Sequence, residues 1–292
     1  MTVKLLPRGG TVGEIFAAAV HRLSEAGVAE PRRDARLLIG HVLGGGPEIA
    51  LGFPERAVGP AESRRIAALI SLRAGRRPMA QILGRREFWS LPFIVTGDTL
   101  DPRPDSECLI EAALARIGDR KALLRILDLG TGTGCLLLSL LHELPNATGV
   151  GVDISPAACS VAARNAAALG LAGRADIVTG DWGRGISGRF DVIVANPPYV
   201  PENELAGLEP EVSAFEPDAA LSGGADGLSA FRALAPDLAR LLARAGLAVI
   251  EIGSGQADSV ATVMGGRGLA CEAVIRDLAA RERGLVLRRP RS

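Results

Sequence analysis

The chain has 292 residues, of which 48% are hydrophobic and 23% charged, enough to bury a core in one large domain or two modest ones and too apolar for long disorder. Its 33 basic and 33 acidic side chains cancel, which argues against a protein that grips nucleic acid mainly through phosphate contacts. No apolar run reaches transmembrane length, and the opening MTVKLLPRGG lacks the apolar region of a signal peptide, so a cytoplasmic protein with no membrane partner is expected.

The first eighty residues read as short helices. Thr11 and Glu14 form a capping box ahead of the apolar positions Ile15, Ala18, Ala19 and Leu23. Pro31 suits the first turn of a second helix, whose stripe is Leu37, Leu38, Val42 and Leu43 and whose end is Gly44-Gly45-Gly46. A third helix is expected over 61–73. With no strand alternation in view, residues 1–78 are expected to form a helical substrate-docking domain. Residues 1–80 hold twelve basic and seven acidic side chains, a mild excess that suits either a docking face or an ordinary solvated surface.

Between 77 and 104 the texture changes. EFWSLPFIVTGDTLDPRP mixes aromatic, β-branched and turn-forming residues, which predicts a hairpin-like connector over 79–107. Helix resumes in DSECLIEAALARI. Beyond Lys121, strands (123–129, 149–152, 175–178, 190–195, 247–252) alternate with helices (136–144, one opened by Ser155 and Pro156, and 228–244). Apolar strands separated by helices mean a parallel sheet covered on both faces, so 108–292 is expected to be an α/β, Rossmann-like domain. The four cysteines (Cys108, Cys135, Cys159, Cys271) and three histidines (His21, His41, His142) are scattered, so neither a disulfide framework nor a metal site is expected.

ILDLGTGTGC places Asp128, Gly130, Thr131, Gly132, Thr133 and Gly134 between a strand and a helix. A bare G-x-G-x-G is a weak sign in a chain with 36 glycines, but here the next strand ends in an acid, Asp153, nineteen residues after Gly134. A carboxylate there can accept both ribose hydroxyls of an adenosine ligand, and glycines admit the ligand close to the backbone. A dinucleotide and S-adenosylmethionine both suit such a crevice. The dinucleotide fingerprint G-x-G-x-x-G fails, because its third position falls on Cys135 or Leu137. Asp128, two residues before the first glycine, suits a ligand with a cationic amino group, as S-adenosylmethionine has. In VTGDWG, Asp181 can accept from adenine N6 and Trp182 can pack on the ring.

FDVIVANPPYV ends a buried strand in Asn196-Pro197-Pro198-Tyr199, and Tyr199 is the chain's single tyrosine. This combination is rare by composition and points to chemistry on a planar amino group. An amide nitrogen is a poor nucleophile, because its lone pair is delocalised. Two acceptors aimed at its two hydrogens favour a pyramidal, reactive nitrogen. The Asn196 side-chain oxygen is one acceptor and the Pro197 carbonyl the other, held in place because proline follows proline. Tyr199 offers a flat face for the amide. Pre-positioning of this kind can supply several kcal/mol of a barrier, up to about 7–11 in ideal cases.

DLGTGTG, Asp153, GDW and NPPY together resemble the class I methyltransferases that act on planar amino groups. PMAQILGRREFWSLPFIV, DPRPDSE, EPDAALSGGADGL and VIEIGSGQ resemble, in order and over about residues 10–290, the HemK-type peptide chain release factor glutamine N5-methyltransferases. The resemblance implies methyl transfer from S-adenosylmethionine to the glutamine of the Gly-Gly-Gln loop of bacterial class 1 release factors. It implies that Gly130 to Gly134, Asp153 and Trp182 hold the cofactor, that Asn196 to Tyr199 hold the glutamine, and that Asn196 touches both. Two stretches depart from the pattern, Gln81-Ile82 for Gln-Tyr and Asp105-Ser106-Glu107 for Glu-Thr-Glu. A ribosomal protein glutamine and a DNA or RNA amine remain as other substrates for the same motif, the neutral charge weighing against the nucleic acids.

Overall fold

The computed structural model describes residues 9–277 and 279–290; the opening stretch read above for a leader lies largely outside them. Two compact units emerge. One runs to Gly84 and takes in Glu209–Phe215; the other comprises Arg85–Leu208 and the chain from Glu216 onward.

In the first unit, strand β1 (Gly10–Thr11) leads into helices α1 (Val12–Glu25), α2 (Pro31–Leu43) and α3 (Ile49–Gly52), followed by β2 (Ala57–Val58), α4 (Pro60–Ala74) and α5 (Met79–Leu83). The capping box is present: the Thr11 hydroxyl accepts from the Glu14 N–H at 3.3 Å, and the Glu14 carboxylate accepts from the Thr11 N–H at 2.9 Å. Pro31 starts α2 and Gly44, at φ 76°, ends it. The apolar stripes meet in one core around Ile15, Leu23, Leu38, Ile39, Ile66 and Ile70. The expectation of a region without strands needs correction: β1 pairs antiparallel with β2, a two-residue ladder too short to show alternation. Ile82 packs against this core, and Gln81 donates to the Phe215 carbonyl at 2.9 Å. Part of the basic excess is spent internally. Arg73 pairs with Asp34 at 2.7 Å and Glu211 at 2.8 Å, and Arg76 with Glu211 at 2.5 Å.

The second unit opens with the expected hairpin, β3 (Arg85–Phe88) paired with β4 (Leu91–Ile94), and α6 (Glu107–Leu114). The alternation then runs β5 (Arg125–Leu129), α7 (Cys135–Glu143), β6 (Thr148–Asp153), α8 (Pro156–Ala168), β7 (Ala175–Thr179) and β8 (Phe190–Ala195). The chain next supplies the one-turn helix α9 (Pro210–Ser213) to the first unit. It finishes with α10 (Ser229–Leu241), β9 (Leu242–Glu251), α11 (Ala257–Gly265), β10 (Ala270–Arg276) and β11 (Glu282–Arg288).

The sheet has seven strands in the order β10-β11-β9-β8-β5-β6-β7. β7, β6, β5, β8 and β9 are parallel, as expected. The expectation of an all-parallel sheet is corrected at one edge: β11 runs antiparallel to both β9 and β10. The connection between β10 and β11 is a tight turn closed by the Asp277 carboxylate, which accepts from the Ala279 and Arg281 N–H groups at 2.8 and 3.0 Å. So short a link can join only antiparallel neighbours. Side chains alternate between two apolar layers. Ile126, Val192, Val194, Val249 and Val286 face α6 and α7, while Leu127, Leu129, Ile193, Ala195 and Ile250 face α10 and α11. Among the described residues no helix is long and apolar enough to cross a membrane.

Candidate active site

β5 is flanked by β6 on one side and β8 on the other, so the direction of winding reverses at β5. Open α/β sheets bind ligands at such a reversal, outside the carboxyl ends of the strands. A cavity of about 290 Å³ lies there, within the second unit. Its wall includes Gly130, Thr131, Gly132 and Thr133 after β5, Asp153, Ile154 and Ser155 after β6, Asp181 and Trp182 after β7, and Asn196 and Pro198 after β8. Most of the residues singled out in the sequence therefore converge on one space. Asp128, Gly134, Pro197 and Tyr199 are not on its wall.

The glycine loop is shaped by backbone freedom. Gly130, Gly132 and Gly134 have φ of 77°, 54° and 81°, a region that costs other residues about 1–2 kcal/mol. Asp153 fixes the loop: its carboxylate accepts from the Gly132 N–H at 2.8 Å and the Ser155 N–H at 2.9 Å. Asn165, fully buried on α8, ties the loop to the hairpin by donating to the carbonyls of Thr133 (2.9 Å) and Ile94 (3.1 Å) and accepting from the Ile94 N–H (2.7 Å). Asp128 is buried at the end of β5. One oxygen accepts from the Thr131 hydroxyl at 2.7 Å, and the other has no hydrogen-bond partner of ordinary geometry among the described residues. Burial pushes its carboxyl up to about 7, although the Thr131 hydroxyl opposes the shift. Cys135, on the cavity wall, is held by burial as a thiol, up to about 12, so it offers no nucleophile.

The end of β8 is shaped by restriction instead. Pro197 and Pro198 fix their own φ and confine Asn196 and Pro197 to extended backbone. Pro197 is buried while Asn196, Pro198 and Tyr199 are half-buried. Among the described residues, nothing hydrogen-bonds to the Asn196 carboxamide or to the carbonyl oxygens of Asn196, Pro197 and Pro198. Tyr199, by contrast, is tied at both ends. Its hydroxyl donates to Glu251 at 3.2 Å, and its carbonyl accepts from Gln256 Nε2 at 3.1 Å. The Ser106 hydroxyl donates to the other Glu251 oxygen at 2.5 Å. The next residue, Val200, is clasped by Leu221 and Gly223 through backbone bonds of 3.0 and 2.8 Å. A side chain at Gly227 would come within 2.6 Å of the Tyr199 carbonyl.

Several of these residues were not singled out as site residues in the sequence. Glu251 and Gln256 lie in VIEIGSGQ, and Ser106 and the cavity-lining Arg103 lie in DPRPDSE. Arg103 pairs at 2.7 Å with Glu216, whose carboxyl is pushed by burial to about 7. Ile154, which follows Asp153 and lines the cavity, is 67% exposed and was likewise not singled out.

Residues 14–84 match the family described as PrmC N-terminal domain, and residues 87–208 match the Methyltransferase small domain. A Rhodospirillum rubrum protein named release factor glutamine methyltransferase is 49% identical over 95% of this chain and 85% of its own. A Cereibacter sphaeroides protein of the same name is 46% identical over 95% and 98%. Another, from Escherichia coli, is 39% identical over 79% and 82%. Among solved structures, the hMettl16 catalytic domain in complex with MAT2A 3'UTR hairpin 6 superposes with a TM-score of 0.56 over 82% of this chain and 86% of that one, at 15% identity, a likeness of fold alone.

Proposed function

Because the chain belongs to the release factor glutamine methyltransferases, it carries a methyl group from S-adenosylmethionine to a glutamine of a release factor, and we propose that the cavity outside β5, β6 and β8 is where it does so. The residues present fit the cofactor. Asp128 holds an unpaired, buried carboxylate oxygen suited to a cationic amino group, and no Cβ of Gly130 stands between Trp182 and the Asn196 backbone. We assign the amino group to Asp128, the ribose hydroxyls to Asp153, adenine N6 to Asp181, and the purine faces to Trp182 and Ile154. The backbone of Gly130, Thr131, Gly132, Thr133 and Gly134 lies along the rest. When bound, the cofactor supplies an electrophilic methyl group on a sulfonium.

The chain's own contribution is to make a carboxamide nitrogen reactive. The Asn196 side-chain oxygen and the Pro197 carbonyl accept its two N–H hydrogens, which draws the nitrogen out of conjugation and turns its lone pair into the cavity. Pro198 keeps the Pro197 carbonyl from swinging away, and the Tyr199 ring supports the amide plane. The nitrogen would gain the methyl group as the methyl's carbon–sulfur bond breaks to leave a neutral thioether, and would then release one of its two protons to water. Oxygens fixed in advance need no reorganisation at the moment of reaction. The observation that carries this reading is the proline-fixed end of β8, where Asn196 and Pro198 line the same cavity as the glycine loop and the carbonyl oxygens of Asn196, Pro197 and Pro198 have no hydrogen-bond partner among the described residues.

The substrate glutamine is that of the Gly-Gly-Gln loop of bacterial class 1 release factors, methylated at N5. This reading is supported by the names of the relatives and by the sequence text around the motif. Docking of the intact release factor falls to the helical unit, whose surplus of arginine supports it. A substrate that works at the ribosome supports a cytoplasmic location, and the neutral charge supports a protein rather than a nucleic acid as stable partner. The test is incubation with methyl-labelled S-adenosylmethionine and, separately, release factor, release factor with the motif glutamine changed to alanine, ribosomal proteins, and RNA. Label is expected in the intact release factor alone; label in the alanine variant or only in RNA overturns the assignment.

A further inference from the structure

The Tyr199 ring supports the substrate amide in the function proposed above, and the role of Glu251 rests on that reading. Glu251 ends β9 and is fully enclosed, yet it keeps both carboxylate oxygens occupied by hydroxyl donors: Tyr199 at 3.2 Å on one, Ser106 at 2.5 Å on the other. These three residues come from three distant parts of the chain, 145 positions separating Ser106 from Glu251 and 52 separating Tyr199 from it. Burial holds the Glu251 carboxyl above its ordinary range, with the two hydroxyl donors and the nearby Arg283 guanidinium acting against that rise. Arg283 is itself held by Asp105 at 2.6 Å and Asp277 at 2.9 Å, so β11, one strand in from the sheet's edge, delivers a cation that acts on this group.

An enclosed acid is costly to keep, and replacement by an apolar residue is often neutral or better for stability. Its arrangement is therefore not accounted for by packing alone. A tyrosine that needed only a flat ring could be a phenylalanine in the same place. Here the hydroxyl is the handle by which the ring is turned and held, while Gln256 holds the carbonyl of the same residue from the other end. A phenol that donates to a carboxylate also gains electron density on its ring, and an electron-rich face favours a neighbouring cation.

We propose that Glu251 is a positioning residue for methyl transfer: through the Tyr199 hydroxyl it fixes the ring against which the substrate amide lies and enriches that ring toward the positive charge that passes from sulfur to nitrogen. Ser106 holds Glu251 in the required rotamer. The bond is made in the resting enzyme and its benefit is felt as charge moves, so its loss lowers kcat more than it changes binding.

The experiment is a double-mutant cycle on the full chain with intact release factor, using Tyr199→Phe, Glu251→Gln and both together, with Tyr199→Ala and Ser106→Ala alongside. Each conservative single change is expected to lower kcat about tenfold, the worth of one hydrogen bond to a charged group. The double variant is expected to be no slower than the slower single one. KM for release factor and the affinity for S-adenosylhomocysteine are expected to stay within about twofold, a split that general loosening of the fold would not give. Ser106→Ala is expected to lower kcat by a smaller factor. Near-normal kcat in Tyr199→Phe, effects that multiply in the double variant, or losses confined to KM overturn the proposal. Tyr199→Phe reads the same bond from its other end should Glu251→Gln fail to fold. If Tyr199→Ala leaves kcat intact, the placement of the amide falls instead; if Tyr199→Ala is slow while Tyr199→Phe is not, only the role of Glu251 falls.

Discussion

The two sides of the cavity are built by opposite means. After β5, three glycines give the backbone conformations that other residues avoid, and Asp153 then spends its hydrogen bonds on holding that loop in shape. After β8, two prolines remove freedom, and the carbonyl oxygens they fix are left without partners among the described residues. A satisfied loop suits a ligand that is recognised by shape and by a few added contacts. Unsatisfied, immobile acceptors suit a group whose hydrogens must be drawn in a set direction. The contrast predicts that substitutions on the first side show up in cofactor affinity and those on the second in turnover.

The largest expected effect breaks the second side. Asn196→Ala removes one of two pre-placed acceptors, and kcat should fall by about 10²–10³ or more, the range for losing one preorganised group. Because the Asn196 side chain makes no hydrogen bond among the described residues, affinity for S-adenosylhomocysteine by calorimetry should fall less than about threefold. A variant with normal turnover would remove the distinction between the two sides.

On the first side, Asp153→Ala takes away a ligand acceptor and strands the N–H groups of Gly132 and Ser155. Each stranded group costs about 1–3 kcal/mol when water cannot reach it. Equilibrium binding of S-adenosylhomocysteine should weaken by about 30- to 100-fold, and turnover at saturating cofactor should recover most of its normal value.

Asp128 sharpens the comparison through pH. Its carboxyl stands at about 7 when the site holds no ligand, against an ordinary 3.8. A group raised in the fold stabilises the protein while protonated, and that contribution is lost as pH rises through about 7. The free protein should therefore lose stability from this group as pH rises from about 4 to about 7 and stay level above that, while a cationic amino group binds best to the ionised form. Affinity for S-adenosylhomocysteine should drop up to about tenfold per pH unit below 7 and level off above it. Asp128→Asn should flatten that slope.

These predictions rest on residues of unequal visibility. Strands β5, β6 and β8 were legible because buried parallel strands read as apolar runs, and the two loops because their residues are unusual in that setting. Pro197 and Tyr199 were legible as a motif, but their withdrawal from the cavity wall was not. The bonds from Ser106 and Tyr199 to Glu251 and from Asn165 to Thr133 and Ile94 join residues far apart in sequence, and such pairs leave no periodic trace. Strand β9 was expected over 247–252 but begins at Leu242, because α10 ends at Leu241 and strand follows it with no intervening loop to mark the change. The antiparallel edge was missed for a different reason: β10 is mostly exposed and shows no clear alternation, and the short apolar run of β11 carries no sign of its direction.

The smallest expected effect falls on Asp181, which shares the cavity with Asp153 but not its surroundings. Its carboxylate is 45% exposed and pairs at 3.2 Å with Arg184, itself 82% exposed. Water and salt screen such a group, and an exposed hydrogen bond to adenine N6 competes with one to solvent. Asp181→Ala should therefore weaken S-adenosylhomocysteine by only about two- to fivefold, less at high ionic strength, with kcat unchanged. A loss as large as that of Asp153→Ala would mean that the purine, rather than the ribose, is the part of the cofactor on which this side of the cavity closes.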